Sequence, residues 1–368
     1  MADPLVSALI NTYNYGHFVE EAVESVLAQD YSAHRLEIIV ADDGSTDDTA
    51  LRMARFAGRV RYLRLEHRGQ ATALNAAIAA SHGEILAFLD ADDLWRPEKV
   101  RRVVEAFNEH PEAGMVYHAF ELWRSDGQPM PQPDFRAISG TVYQNLEDLL
   151  TIDGQATSGQ AFRRAVVETM LPLPEEFVIG CSDGYLCYNC ILGWPVVALA
   201  TPLTRYRIHG NNQFNFSAVD PRKLRIKLAC WQALMREHRA WLRRQGHDLG
   251  QPRIEAFLRR QDLLEAMMQF GIEPPGRVEF FRHLRREARV YRPIWSLRYR
   301  IFKAVEAGTA LLLGFPAFNS LKRRYQMSPS WRRLRELALP RLQAATRSQI
   351  ALEAPSAQAG PDMVGRQA

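Results

Sequence analysis

Short apolar runs alternate with amphipathic stretches through the first two hundred residues. Val6–Ile10, Leu36–Val40, Val60–Leu65, Ile85–Leu89 and Gly114–Glu121 are runs of strand length. Ile85–Leu89 is wholly apolar, the pattern of a strand covered on both faces. Between these runs, Phe18, Val19, Ala22, Val23, Val26 and Leu27 recur at three- and four-residue spacing, Gln70–Ser81 is an Ala-rich helix, and Pro97–His110 is a helix closed by Pro111. Ser45 and Asp48 have the spacing of a capping box, which predicts a helix start there. Strands alternating with helices in this way predict an α/β fold with a mainly parallel, doubly wound sheet.

Further along, the pattern predicts a short strand at Ser158–Phe162, a helix over Arg163–Met170 and an apolar helix from Gly180 to about Leu192. Two short strands follow, Pro195–Ala200 and Leu203–Ile208. Beyond Val219 strand signals stop, residues 220–345 read as Arg-rich helices, and the tail from Ala351 is of low complexity. The expected organisation is an α/β domain over 1–218, a basic α-helical region over 219–347 and a disordered tail over 348–368.

Charge sharpens that division. The net charge of +4 conceals 17 Lys/Arg against 29 Asp/Glu in residues 1–218, and 28 against 11 in residues 219–347. In the basic part, Ala307–Leu321 carries no charge but is too short, at about 15 residues, for the roughly 20 a bilayer span needs. Trp295, Tyr299, Phe302, Phe315, Phe318 and Tyr325 lie around it with Arg298, Arg300, Lys303 and Lys322–Arg324. Aromatic and basic residues around a short apolar helix fit peripheral binding to an anionic membrane surface. They equally fit helices packed on the first domain with their arginines solvated. No nucleic-acid recognition motif accompanies the charge, so a nucleic-acid partner is not expected. Four cysteines in 368 residues make no disulfide framework, which points to a reducing compartment, and Cys187-x-x-Cys190 lacks a second pair at zinc spacing. Leu5–Ile10 is too short for a signal peptide and has no basic lead. The expected location is cytoplasmic, or peripheral on the inner face of a membrane.

The candidate chemistry is acidic. Asp90, Asp92 and Asp93 follow the Ile85–Leu89 strand at once, and Asp42 and Asp43 follow the Leu36–Val40 strand. In an open α/β sheet, ligands bind beyond the carboxyl ends of the strands, where these pairs would share one edge. Clustered carboxylates repel unless a cation sits among them, and an oxygen-rich set suits Mg²⁺ or Mn²⁺. A solvated acidic turn is the plainer alternative.

Taken in order, several motifs resemble family 2 glycosyltransferases of the GT-A (Rossmann-like) fold, over residues 5 to about 212. They are Thr12-Tyr13-Asn14, Asp42-Asp-Gly-Ser-x-Asp47, Gly69 spaced to Asn75, the Asp-x-Asp motif Asp90-Ala91-Asp92 with Asp93, Thr157–Arg163, Ser182-Asp183, and Arg205-Tyr-Arg-Ile-His209. The resemblance implies a GT-A domain with a C-terminal helical extension. It implies that Thr12, Tyr13 and Asp42 hold the nucleotide of a nucleotide-sugar donor, Asp42 through the base, with a lean towards uridine. Asn14, Asn75 and Ala91 lie within the same motifs and are carried with the donor site, which Arg68 could also reach. Asp90 and Asp92 would serve the ribose and a diphosphate-bound divalent cation (Mn²⁺ or Mg²⁺), with His209 at the metal or diphosphate. Asp183 would be the general base of an inverting transfer, although the acid that usually precedes it is Ser182 here. The Gln-x-x-Arg-Trp signature of processive synthases is absent, so single-sugar transfer to a saccharide or lipid-linked acceptor is expected, in envelope glycan synthesis. Phe88–Leu94 also fits the nucleophile motif of haloacid-dehalogenase-like phosphatases, with Asp90 attacking phosphorus and Asp92 as acid. A non-catalytic nucleotide-sugar-binding scaffold is the third reading.

Overall fold

The computed structural model describes residues 3–326 except 129, 133–134, 153–154, 179, 211 and 213–220. The expected disordered tail therefore lies outside the described residues. The chain divides into two compact units, Met1–Pro275 and Gly276–Ala368.

The first unit opens with β1 (Val6–Thr12), α1 (Gly16–Leu27), β2 (Leu36–Asp42), α2 (Thr49–Met53), β3 (Arg61–Arg64), α3 (Gln70–Ala80) and β4 (Ile85–Asp90). β5 (Leu94–Trp95), α4 (Lys99–Glu109), β6 (Met115–Arg124), α5 (Leu146–Thr151), β7 (Gln160–Arg163), α6 (Arg164–Glu168), α7 (Ser182–Gly193) and β8 (Val196–Ile208) follow. Two long helices, α8 (Pro221–Arg244) and α9 (Pro252–Ile272), end it. The eight strands form one sheet in the order β3-β2-β1-β4-β7-β6-β8-β5. β3, β2, β1 and β4 run parallel, β7 opposes its neighbours β4 and β6, and β6 and β8 are parallel.

Alternation along the strands builds a core on each face. Val6, Ala8 and Ile10 of β1 pack with Val19, Val23 and Val26 of α1 and Val103 of α4. Leu9 points the other way, to Leu74 and Ile78 of α3 and Leu186 of α7. The sheet is thus covered on both faces, as a doubly wound arrangement requires. Trp241 and Leu242 of α8 and Phe257 of α9 join the second core, and the Trp241 indole donates to the Thr169 carbonyl at 3.1 Å. Basic α8 and charge-balanced α9 are held by an apolar face, so the compact unit runs past residue 218 to Pro275.

Two local expectations change. The two short strands over 195–208 are one strand, β8, because a bulge opposite His118 and Phe120 lets residues 200–203 leave the ladder and accommodates Pro202. Ser45 does not cap a helix: its hydroxyl accepts the Asn14 N–H at 2.8 Å, and α2 starts only at Thr49.

The second unit contains α10 (Arg277–Tyr291), α11 (Leu297–Leu313) and α12 (Phe315–Gln326). Phe280 meets Phe315 and Phe318 edge-on, with centroids 5.0 and 5.5 Å away. Gly314, at φ 76°, turns the chain out of α11, a left-handed conformation that favours glycine. Among the described residues, no helix is long and apolar enough to cross a membrane.

Candidate active site

Parallel pairing puts the acidic strand ends side by side. In the ladder, Thr12 is level with Asp42 and Asn11 with Asp90. The chain winds outward in opposite directions from β1 and β4, so their shared carboxyl end is a switch point where a crevice opens.

On the β2 side, Asp42 is fully buried, accepts the Ser45 N–H at 2.8 Å and takes the Tyr62 hydroxyl on its other oxygen. Asp43 accepts the backbone N–H groups of Arg68 and Gly69 at 2.9 Å, and its Oδ2 lies 2.8 Å from His67 Nδ1. It latches the loop after β3 to the end of β2. Gly69 sits at φ 103°, and a Cβ there would come 2.5 Å from the Val178 Cα, so only glycine fits. Asn14, in a left-handed conformation at φ 56°, accepts the Thr46 N–H at 2.8 Å and ties the loops after β1 and β2 together. Tyr13 stacks on His67, with ring centroids 4.0 Å apart and planes 8° from parallel, and remains 39% exposed. This is an aromatic shelf at the mouth of the crevice. The Arg68 guanidinium projects outward to Glu175 at 2.7 Å. Asn75 gives both its donor and its acceptor to the Leu173 backbone, at 2.9 and 2.8 Å.

On the β4 side the carboxylates crowd. Asp90 is partly buried at the end of β4, and its backbone N–H donates to the Ser158 hydroxyl at 3.0 Å. Its pKa is pushed to about 8, first by burial and then by the Asp92 and Asp183 charges, against opposing hydrogen bonds from Asn11 and Thr157. Ala91 is buried, its N–H bonded to the Asn11 carbonyl at 3.2 Å. Asp92 Oδ2 lies 2.9 Å from His209 Nε2, and Phe18 and Tyr15 flank the imidazole. Buried Asp93 accepts the Arg207 N–H at 2.9 Å, and burial with the Asp92 and Asp90 charges raises its pKa well above the usual range. Trp95 packs beneath the acidic loop with Lys99 Nζ 4.0 Å over its ring, and burial pushes the pKa of that lysine well down.

Asp183 stands in the first turn of α7, with the Gly184 N–H on its Oδ1 at 2.7 Å. The residue preceding that helix is Cys181, at φ 73°, so Asp183 occupies the turn itself and not the cap. Burial lifts its pKa to about 6, against the Gly184 hydrogen bond. The structure thus gathers Thr12, Asp90, Asp92, His209 and Asp183 about one crevice, puts Tyr13 at its edge, and commits Asn14, Asn75 and Ala91 to holding loops. Asn11 Oδ1, Thr12 Oγ1, Asp90 Oδ1 and Asp93 Oδ2 are buried there without a hydrogen-bond partner.

Arg207, which the sequence offers only as part of the Arg205–His209 motif, takes its role from the structure. Nearly fully buried, it lies between the Phe18 and Trp123 rings at 4.4 and 4.5 Å, donates Nε–H to the Asp92 carbonyl at 2.9 Å and pairs with Glu21 at 2.6 Å. Lys99 is likewise buried and donates to the Ser158 carbonyl at 2.7 Å, securing the residue that holds Asp90. The alternation of polar and apolar residues in Arg205–His209 signals a strand but not this clamp.

Residues 7–171 match the model of the family described as Glycosyl transferase family 2. An uncharacterized glycosyltransferase of Nostoc sp. is 30% identical over 335 residues, covering 88% of this chain and 92% of the relative. The chain belongs to glycosyltransferase family 2. TuaG of Bacillus subtilis, a glycosyltransferase assigned to teichuronic acid biosynthesis, is 34% identical over 131 residues, 34% of this chain and 51% of TuaG. Among solved structures, S. aureus TarS 1–349 in complex with UDP-GlcNAc superimposes with a TM-score of 0.58 at 18% identity, covering 83% of this chain and 90% of that one. The mannosyltransferase PcManGT of Pyrobaculum calidifontis, in complex with GDP-Man and Mn²⁺, gives 0.53 at 18% identity, covering 96% and 89%. The fold of this family 2 glycosyltransferase is GT-A, and the phosphatase alternative falls with the family assignment.

Proposed function

We propose that this enzyme moves one sugar, with inversion, from a nucleoside-diphosphate sugar to a hydroxyl of a saccharide or lipid-linked acceptor in cell-envelope glycan synthesis. The observation that carries the reading is a set of buried oxygens without a hydrogen-bond partner: Asn11 Oδ1, Thr12 Oγ1 and Asp90 Oδ1 at neighbouring strand ends, and Asp93 Oδ2 in the loop after β4. Dry, unpaired polar atoms cost free energy that a polyhydroxylated, phosphorylated ligand offsets. TarS in complex with UDP-GlcNAc supports a uridine donor, and the assignment of TuaG supports an envelope glycan.

Thr12, Tyr13 and Asp42 receive the nucleoside, with Tyr13 and His67 offering a flat apolar surface to the base. Asp90 bonds the ribose, as donor when protonated and as acceptor when ionised. Asp92 and His209 fit a divalent cation: an oxygen and a nitrogen donor already lie together, beside surplus negative charge that raises the pKa of Asp90 and Asp93. Among the described residues no group of three His, Cys, Asp or Glu forms a complete cage, so the diphosphate and water would supply the remaining ligands. When bound, the cation neutralises charge developing on the departing nucleoside diphosphate. Asp183 takes the proton of the acceptor hydroxyl as that oxygen forms its bond to the anomeric carbon. The bond to phosphate breaks on the opposite face, and its electron pair leaves with the nucleoside diphosphate. The Gly184 N–H holds Asp183 Oδ1 and so orients the base.

The test is a panel of nucleotide sugars incubated with Mn²⁺ and assayed for nucleoside diphosphate release. The reading expects one donor to be turned over and Asp92→Ala to abolish that turnover. Donor binding without turnover in every case would instead support a scaffold.

A further inference from the structure

Helix α11 is inside out. Two of its four charged residues point inward: Lys303 and Glu306 are buried and paired, Lys303 Nζ lies 3.2 Å from Glu287 of α10, and Lys322 of α12 lies 3.7 Å from Glu306. Its apolar residues point outward. Leu297, Ile301, Val305 and Leu312 are 70, 58, 63 and 74% exposed, and with Gly308 they recur every three or four residues along one face. A helix in water places these two sets the other way round, because exposing large apolar side chains and burying charges both cost free energy. Exposed Arg298 and Arg300 border the stripe on its two sides.

A second feature of the same three-helix unit agrees. Arg282, Arg285, Arg286 and Arg289 line one depression of about 230 Å³ on α10. Among the described residues none of the four forms an ion pair with a carboxylate, and Arg285 instead lies over the Phe281 ring. Four like charges on adjacent turns repel one another unless an anion is shared among them.

We propose that this three-helix unit docks on an anionic lipid bilayer, with the α11 stripe entering the acyl boundary between Arg298 and Arg300 and the α10 arginines adding to the attraction for lipid phosphates. Charge complementarity selects this occupant over a second copy of the chain, since pairing two such surfaces would set arginine against arginine. The surface accounts for the exposed arginines of α10 and α11 without calling on the active site, and it stands or falls apart from the proposed transfer reaction.

The full chain is sedimented with phosphatidylcholine vesicles that contain or lack phosphatidylglycerol. Retention is expected only with the anionic lipid and is expected to weaken with salt. Ile301→Asp with Val305→Asp, and separately Arg282→Glu with Arg286→Glu, should each lower partitioning by on the order of tenfold or more. Both pairs of substitutions are on exposed side chains, so melting temperature and donor turnover in solution should be kept. Equal binding to neutral vesicles, no binding at all, or unchanged partitioning of both variants overturns the proposal. So does a concentration-dependent dimer that Ile301→Asp dissolves, or displacement from vesicles by inorganic phosphate at low concentration.

Discussion

Arg207→Ala should loosen the acidic loop while leaving every residue assigned to substrate or cation unsubstituted. Three contacts go with the side chain: the Nε–H bond to the Asp92 carbonyl, the stacking between Phe18 and Trp123, and the Glu21 ion pair. A hydrogen bond from a charged donor contributes about 1.5–3 kcal/mol. Each cation–π contact adds roughly 0.5–2 kcal/mol. The pair with half-exposed Glu21 contributes about 0–1 kcal/mol once screening by solvent is allowed for. Together these come to a destabilisation of about 2.5–8 kcal/mol, or a fall in melting temperature on the order of 10 °C. The Arg207 N–H on Asp93 survives, so the loop keeps its place but loses the pin on the Asp92 carbonyl. Loss of a residue that orients a metal ligand typically costs about 10–100-fold in affinity. Mn²⁺ affinity with saturating nucleoside diphosphate, followed by electron paramagnetic resonance, should drop by that amount. Arg207→Lys keeps the charge but not the planar fork, and should fall between wild type and alanine. A lowered melting temperature with Mn²⁺ affinity unchanged would reduce Arg207 to a packing residue and refute the reasoning.

Four further outcomes are expected. Asp183→Asn should lower kcat by about 10²–10⁴-fold while leaving donor KM nearly unchanged. The base acts as a carboxylate and its pKa is lifted to about 6 by burial, so kcat/KM should fall as pH drops through about 6, where an ordinary aspartate would hold activity to about pH 4. Asn75→Ala strands the Leu173 N–H and carbonyl and should cost about 1–3 kcal/mol of stability in a denaturant titration, with donor affinity of the folded enzyme little changed. Tyr13→Ala removes half of the exposed stack with His67 and should weaken nucleoside diphosphate binding about three- to tenfold by calorimetry, with no comparable loss of stability.

The parallel half of the sheet is legible because buried strands leave continuous apolar runs, and because acids directly after two such runs must meet on one edge once β1, β2 and β4 pair in parallel. The site is legible only where a residue type announces its chemistry. Asp90, Asp92 and Asp183 do so. Asn75 does not, since its partner Leu173 is 98 residues away and no local pattern marks the bond. Arg207 and Lys99 look like surface charges in the sequence; a rear wall of aromatic rings and carbonyls, assembled from distant segments, turns them inward. Pro202 reads as a break between two strands because a ladder has no place for it, until the bulge in β8 provides one. The inverted polarity of α11 was equally hidden. The sequence marks Ala307–Leu321 as one short apolar helix, whereas Gly314 divides that stretch between α11 and α12, and only packing reveals that the exposed stripe runs over Leu297–Leu312.

The central claim is that the acidic loop after β4, completed by a divalent cation, binds the diphosphate of a nucleotide sugar. Isothermal titration of the folded protein with UDP and GDP, with Mn²⁺ and then with excess EDTA, tests it directly. Saturable binding with Mn²⁺, lost with EDTA and in Asp92→Ala, is the predicted result. No binding of either nucleotide with Mn²⁺ or Mg²⁺ supplied, or equal binding with EDTA, would contradict it.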